Sequence, residues 1–287
     1  MKIVTDCAAD MPVAELESLG ITQAPLFIQF PEGEVSSIDL SPDEFYDRLN
    51  AMYPAIPTTA QPSPGIFADI YRKLAAADKD IFSIHISTGL SGTIEAARNA
   101  MSYVKEQANV MLWDTLTLSG GERYQVLAAA LAHRAGWTME AIQERLKELR
   151  AQTEVIFTLE TLEYLAKGGR IGRVQALAGT LLHLKPVICV DHQDGKYNNI
   201  GRSRSLPRAL HNIAHQLHHV YADTPLWVTI MHGQIPNQAE ALAREIRERL
   251  NVARLETLRV SPVLGVHTGP GVVGAAVVPM QLMADLL

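Results

Sequence analysis

The stretch Asp80-Ile81-Phe82-Ser83-Ile84-His85-Ile86 runs directly into Ser87-Thr88-Gly89-Leu90-Ser91-Gly92-Thr93, and a helical stripe through Ala96 and Ala100 continues to about Glu106. A short apolar run bounded by turn residues reads as a buried strand, and a hydroxyl- and glycine-rich loop ahead of a helical stripe reads as a βα turn. The same succession recurs on both sides. Upstream, Lys2 to Thr5 reads as a strand, Met11 to Leu19 as a helix with Pro12 in its first turn, and Pro25 to Phe30 as an extended run. Ser41-Pro42-Asp43-Glu44 and Ser63-Pro64 each open a helix with a hydroxyl cap and a first-turn proline. Downstream, Val110 to Trp113 is a strand, Asp114 to Gly121 a polar loop, and Tyr124 to Ala135 a helix. This rhythm predicts an α/β fold whose N-terminal part is a mostly parallel sheet with helices on both faces.

After the amphipathic helix Met139 to Ala151 the grammar changes. Val155 to Thr158 reads as a strand, and Leu159, Leu162 and Leu165 share a helical face that Gly168-Gly169 stops. Pro186 to Val190 and Lys196 to Ile200 flank Asp194-Gly195, a hairpin turn. Leu210, Ile213, Leu217 and Val220 form a helical stripe. Leu226 to Met231, Leu255 to Val260 and Val272 to Val278 read as strands, with a helix from Asn237 to Leu250. Hairpins mixed with helices predict an α+β second domain, so the division expected is 1–152 and 153–287, with a ligand between the two.

The 287 residues are 47% hydrophobic and 20% charged, which suits folded domains with real cores. A formal charge of -6 argues against sequence-independent binding of nucleic acid, which needs a basic surface. Two cysteines far apart, Cys7 and Cys189, give no disulfide framework and fit a reducing compartment. The chain opens directly on a strand and has no apolar run of membrane-spanning length, so a cytoplasmic protein without an integral membrane segment is expected.

In open α/β sheets ligands sit beyond the carboxyl ends of the strands. Four loops belong there: Asp6-Cys7, Thr58-Thr59-Ala60-Gln61, Ser87 to Thr93, and Asp114 to Gly121. Their hydroxyls and free backbone N–H groups can hold a carboxylate or phosphate, or can simply cap helices and close turns. His267-Thr268-Gly269-Pro270-Gly271-Val272-Val273-Gly274 contains G-x-G-x-x-G, but too little chain follows for the βαβ unit and later acid of a dinucleotide site. The glycines are read instead as letting backbone approach a ligand or strand, with His267 aimed at it. His211, His215, His218 and His219 have helical spacing, but no clustered carboxylate or cysteine accompanies them, so no metal is expected. Arg170, Arg173, Arg202, Arg204 and Arg208 could recognise an anion or lie on a solvated face. No Walker A, H-E-x-x-H or G-x-S-x-G sequence is present, and no nucleophile–base pair stands out.

Read together, six segments occur in one order. They are Asp6 after the first strand, Thr58-Thr59-Ala60-Gln61-Pro62-Ser63, Ser87 through Thr93, Thr161 through Ile171, Leu184-Lys185-Pro186-Val187, and His267-Thr268-Gly269-Pro270-Gly271. From about Lys2 to Val278 the chain resembles the DegV family, including the FakB-type fatty-acid-binding subunits of bacterial fatty acid kinase. The resemblance implies one long-chain fatty acid in a tunnel between two domains, with its carboxylate hydrogen-bonded at the junction. It implies Thr58, Ser91 and His267 as carboxylate ligands, with Thr59 and Thr88 beside them. Arg170 and Arg202 fall at the head-group rim or at the docking site of the kinase's catalytic subunit. It further implies a binding subunit rather than an enzyme, with the partner forming an acyl phosphate and with no cofactor. The alternative is a stand-alone phosphotransferase-like or hydrolytic enzyme built on the hydroxyl-rich loops and His267. Three positions depart from the family pattern: Cys7 replaces Ser or Thr, Ala60 replaces a serine, and Thr88 replaces the second serine of a pair.

Overall fold

A computed structural model of the chain describes residues 1–177 and 184–287. The order opens with β1 (Lys2–Asp6), α1 (Val13–Leu19), β2 (Ile21–Ala24), and a hairpin of β3 (Phe27–Phe30) and β4 (Gly33–Ser36). Next come α2 (Pro42–Met52), β5 (Thr58–Ala60), α3 (Pro64–Ala75), β6 (Asp80–His85), α4 (Thr93–Val104) and β7 (Asn109–Asp114). The long helices α5 (Ser119–Arg134) and α6 (Met139–Gln152) lead to β8 (Glu154–Thr158) and the short α7 (Glu163–Lys167). Then follow the hairpin β9 (Lys185–Val190) and β10 (Tyr197–Ser203), α8 (Leu206–Tyr221), β11 (Leu226–His232), α9 (Pro236–Arg247), β12 (Val252–Arg259), α10 (Pro262–Thr268) and β13 (Val273–Pro279).

The predicted parallel sheet is present, in the order β2-β1-β6-β7. Chain order reverses between β1 and β6, which opens a crevice at their carboxyl ends. Asp6 spans that crevice from the end of β1. One carboxylate oxygen accepts from the Ala8 amide at 2.9 Å, and the other accepts from the Ile86 amide at 3.1 Å and lies 3.0 Å from His85 Nδ1. His85 continues through Ser83 to Tyr71, so a buried polar chain fixes the loop after β6.

The second sheet, β10-β9-β8-β13-β11-β12, is antiparallel except for the parallel pair β11–β12. Leu210, Ile213 and Leu217 of α8 and Leu242 and Ile246 of α9 cover one face, as the α8 stripe predicts, but Val220, expected in that stripe, is exposed. The other face packs on α5. That helix is buried from Ser119 to Ala132, because it is clamped between the two sheets and has no solvent side. A single cluster therefore runs through both halves and includes Leu118, Leu127, Phe157, Ile188, Met231 and Leu264. Arg123, buried within α5, donates from Nε to Glu15 of α1 at 2.8 Å and from Nη1 to Glu256 of β12 at 2.5 Å. The two carboxylates compensate its buried charge and tie the halves together.

Four local readings change. Thr58-Thr59-Ala60, expected as a loop, is a short strand paired with β3, a third sheet of order β4-β3-β5. Tertiary pairing makes that strand, because three residues cannot hold extended structure alone. His267 lies near the end of α10 rather than in a glycine loop. Its helix starts at Pro262 and ends at Gly269, its C-cap, while Gly274 allows the close backbone approach expected of these glycines, since a Cβ there would overlap Ile156 and Phe157 of β8. The loop after β7 is shorter than expected, since α5 already begins at Ser119. The helix expected from Met11 starts at Val13.

Candidate functional site

Two cavities lie where α5, α10 and the second sheet close over the carboxyl edge of the first. Each is narrow, a cavity of about 30 Å³, and Tyr197 and Leu264 line both. That shared pair sets the two side by side, an inner and an outer chamber with Tyr197 and Leu264 between them. The inner chamber is bounded by Leu118, Phe157, Met231, Val260 and Val272, with Ser119 and Thr268 as its hydroxyls. The outer chamber adds Thr59, Ser91, Arg170 and His267 to an apolar wall. An apolar chamber with a few convergent polar groups at one end is the usual form of a small-molecule site.

The predicted residues divide. His267 and Ser91, distant in sequence, line the same outer chamber. Thr58 does not join them: it is exposed, and Thr59 turns inward. The pleat decides this, because Thr59 pairs with the fully buried Ile28 and Thr58 with Gln29, and directly opposed residues share a face. Thr59 Oγ1 and His267 Nε2 lie 2.8 Å apart, a hydrogen bond whose proton either atom can supply. Thr88 is also outside, held on Asp114, whose carboxylate accepts from its hydroxyl at 2.6 Å and from its amide at 3.3 Å. Arg170 lines the chamber, whereas Arg202 is exposed on edge strand β10 and lines neither chamber.

Local chemistry explains these placements. Ser91 Oγ lies 2.8 Å from Thr93 Oγ1 and accepts from the Thr93 amide at 3.3 Å, a turn that starts α4. Arg170 donates from Nη1 to the Gly168 carbonyl at 2.8 Å and from Nε to the Leu90 carbonyl at 3.3 Å, joining the end of α7 to the serine loop. Gly168 packs so closely on His267 that a Cβ there would overlap the imidazole Nδ1. Gly195 in the β9–β10 turn, at φ +64, meets Ser87 in the same way, and Ser87 Oγ donates to its carbonyl at 2.9 Å. The hairpin is thereby seated on the βα loop that carries Ser91.

Burial first, and the Arg170 guanidinium second, hold the His267 imidazole down to about 4, so it is neutral at pH 7. Its Nδ1 is buried without a partner among the described residues. The outer chamber thus offers two hydroxyls, a neutral imidazole and a guanidinium, with no carboxylate among its lining residues. That donor set suits an anion. An imidazole that protonates near 4 is a poor general base at neutral pH.

Burial also pushes Cys7 far above the ordinary thiol range and Cys189 up to about 11, so neither is an activated nucleophile. The histidines of α8 that invite a metal reading are exposed, and among the described residues no group of three or more His, Cys, Asp or Glu could hold a metal ion. Tyr197 and Gly168 could not be singled out from sequence: one resembles any core tyrosine, the other any helix stop. Only the pleat of β5, invisible before β3 was known to pair with it, separates Thr59 from Thr58.

A family model described as "Uncharacterised protein, DegV family" matches residues 1–280. The chain belongs to the DegV family. A DegV domain-containing protein of Deinococcus radiodurans is 37% identical over 278 residues, spanning 96% of this chain and 95% of the relative. Among solved structures, a Thermus thermophilus DegV protein described by its fatty acid binding superposes with a TM-score of 0.90 at 31% identity, covering 97% of this chain and 99% of the other. A stearic acid-binding protein from Eubacterium ventriosum gives 0.87 at 28% identity, covering 97% and 98%. The DegV α/β architecture, parallel sheet plus mixed sheet, is therefore that of this chain. Among its described residues no helix is long and apolar enough to cross a membrane.

Proposed function

We propose that this DegV protein binds one long-chain fatty acid between lobes 1–152 and 153–287, carboxylate in the outer chamber and tail in the inner. The observation that carries the reading is the sharing of Tyr197 and Leu264 by a polar-ended and an apolar chamber. His267, Ser91 and Arg170 hold the head group, with Thr59 in the place expected of Thr58. Each buried methylene contributes about 0.8 kcal/mol, so a long tail supplies on the order of 10 kcal/mol before ordering costs. The polar end then sets register rather than most of the affinity. The solved DegV relatives that bind fatty acids support the same assignment.

The finer reading is a cytoplasmic binding subunit that presents the carboxylate to the catalytic subunit of a fatty acid kinase. The weak basicity of His267 supports binding over stand-alone catalysis. Arg202, with Arg204 and Arg208, is exposed and has no acidic partner within ion-pair distance among the described residues, so this basic patch is the docking candidate. Protein purified without detergent, extracted with organic solvent and weighed by mass spectrometry should release one fatty acid per chain. Absence of stoichiometric acid, with failure to take one up, would overturn the binding reading. Retained lipid with no effect of Arg202→Glu on acyl phosphate formation would overturn the docking assignment alone.

A further inference from the structure

The inner chamber has a polar patch in its wall. Ser119 lines the chamber, and its hydroxyl donates to one carboxylate oxygen of Asp10. The other Asp10 oxygen accepts from the Ser261 amide at 2.9 Å, and Ser261 follows Val260, which also lines the chamber. Asp10 and Ser261 also line a surface groove with the apolar Met11, Pro12, Val13 and Ile38 and the polar Gln23 and Arg259. Two of these apolar side chains are largely open to water, Val13 at 67% and Ile38 at 47%.

The backbone gives independent support. Asp10 and Ser119 are both non-glycine residues in the left-handed region, at φ 52 each. Such conformations are strained and persist only where the surroundings over-determine them. Both side chains are buried, and they bond to each other across three elements: the turn before α1, the start of α5 and the start of α10. Neither residue touches the outer chamber.

We propose that the Asp10–Ser119–Ser261 bridge is the end-stop that sets the longest acyl chain this protein accepts, by closing the inner chamber from the surface groove that Val13 and Ile38 line. The inference rests on the fatty-acid reading above. A methyl terminus reaching Ser119 meets a desolvated carboxylate beyond it and can go no further. Without the bridge, the next methylenes pass into the groove against Val13 and Ile38.

Delipidated protein titrated with saturated acids from myristic to lignoceric tests this. The native chain should bind more tightly with length up to a limit and then lose affinity. Asp10→Ala should move the limit to longer acids, with a gain of up to about fourfold for each methylene that newly enters the groove. Asp10→Asn keeps the shape, can accept from the Ser261 amide, and should leave the limit in place. Ser119→Gly removes the hydroxyl while suiting the positive φ, and should act like Asp10→Ala even if that variant fails to fold. In the native protein, the longest accepted acid bearing a terminal diazirine should label Leu118 or Val260 and not Val13 or Ile38. Labelling of the groove in the native chain, or an unchanged limit in folded variants, would overturn the end-stop. Failure of the native chain to bind any acid of the series would instead overturn the fatty-acid reading.

Discussion

The two chambers each carry polar groups, and those groups are chemically opposite. The outer end carries Thr59, Ser91, neutral His267 and the Arg170 cation, and no carboxylate lines it. The inner end carries a carboxylate, Asp10, whose oxygens are already engaged by Ser119 and Ser261. An anion is attracted at one end and repelled at the other, while the apolar walls between are indifferent to direction. On the proposed function, charge therefore fixes which way the bound acid lies. The ends also differ in rigidity: Thr59, Ser91 and Arg170 are half-buried and open toward solvent, whereas Asp10 and Ser119 are buried and held in left-handed backbone.

The largest expected effect exploits the opposite titrations of the two ends. His267 falls from its ordinary 6.5 to about 4 on folding, so its contribution is complete above pH 6.5 and about 3 kcal/mol of stability is lost as pH falls toward 4. Asp10 rises from 3.8 to about 6, chiefly through burial, so about 3 kcal/mol is lost as pH rises from 3.8 through 6. Between pH 6 and 4 the two oppose. Denaturant melts across this window should show Asp10→Asn gaining stability over the native chain above pH 6, with the gap closing in acid. His267→Gln should show the mirror image, resisting acid better than the native chain. Parallel curves for all three proteins would break the comparison.

Next in size, His267→Ala should weaken binding of a fluorescent fatty acid by roughly 10- to 100-fold, the cost of one hydrogen bond to a charged group. It should leave the length limit unchanged, because His267 and the inner end share no lining position. A shift in length preference instead would mean that the ends are not independent. Smaller still, Gly168→Ala must push the imidazole aside, and a loss of about tenfold is expected from the displaced hydrogen bond. The smallest effect sharpens the strand argument. Thr59→Val should cost up to about tenfold, since it loses the bond to His267, while Thr58→Val should be within about twofold of native. Equal losses at both threonines would contradict the inward turn of Thr59.

Much of this was legible in the sequence because it rests on local patterns. The alternation of apolar runs and capped helices gave the parallel sheet. Asp194-Gly195 marked the β9–β10 hairpin, and the ordered loop motifs brought Ser91 and His267 to one place. What escaped depends on contacts made by the folded chain. Thr58 and Thr59 are the same residue type side by side, and only pairing with Ile28 shows which one faces inward. The helix that carries His267 is seven residues long and held by packing of Val266 on Phe45 and Tyr46 rather than by propensity. Asp10 gave no signal because an aspartate before Met11-Pro12 reads as an ordinary turn. Its burial is decided by Ser119 and Ser261, far along the chain.

The most direct test of the account is a crystal structure of the protein loaded with a long-chain acid bearing a terminal bromine, read by anomalous scattering. The account predicts a single anomalous peak in the chamber bounded by Leu118, Phe157 and Met231, with the carboxylate within hydrogen-bond reach of Ser91 and His267. A peak beside His267, placing the tail end at the polar mouth, or no ligand in either chamber, would contradict it.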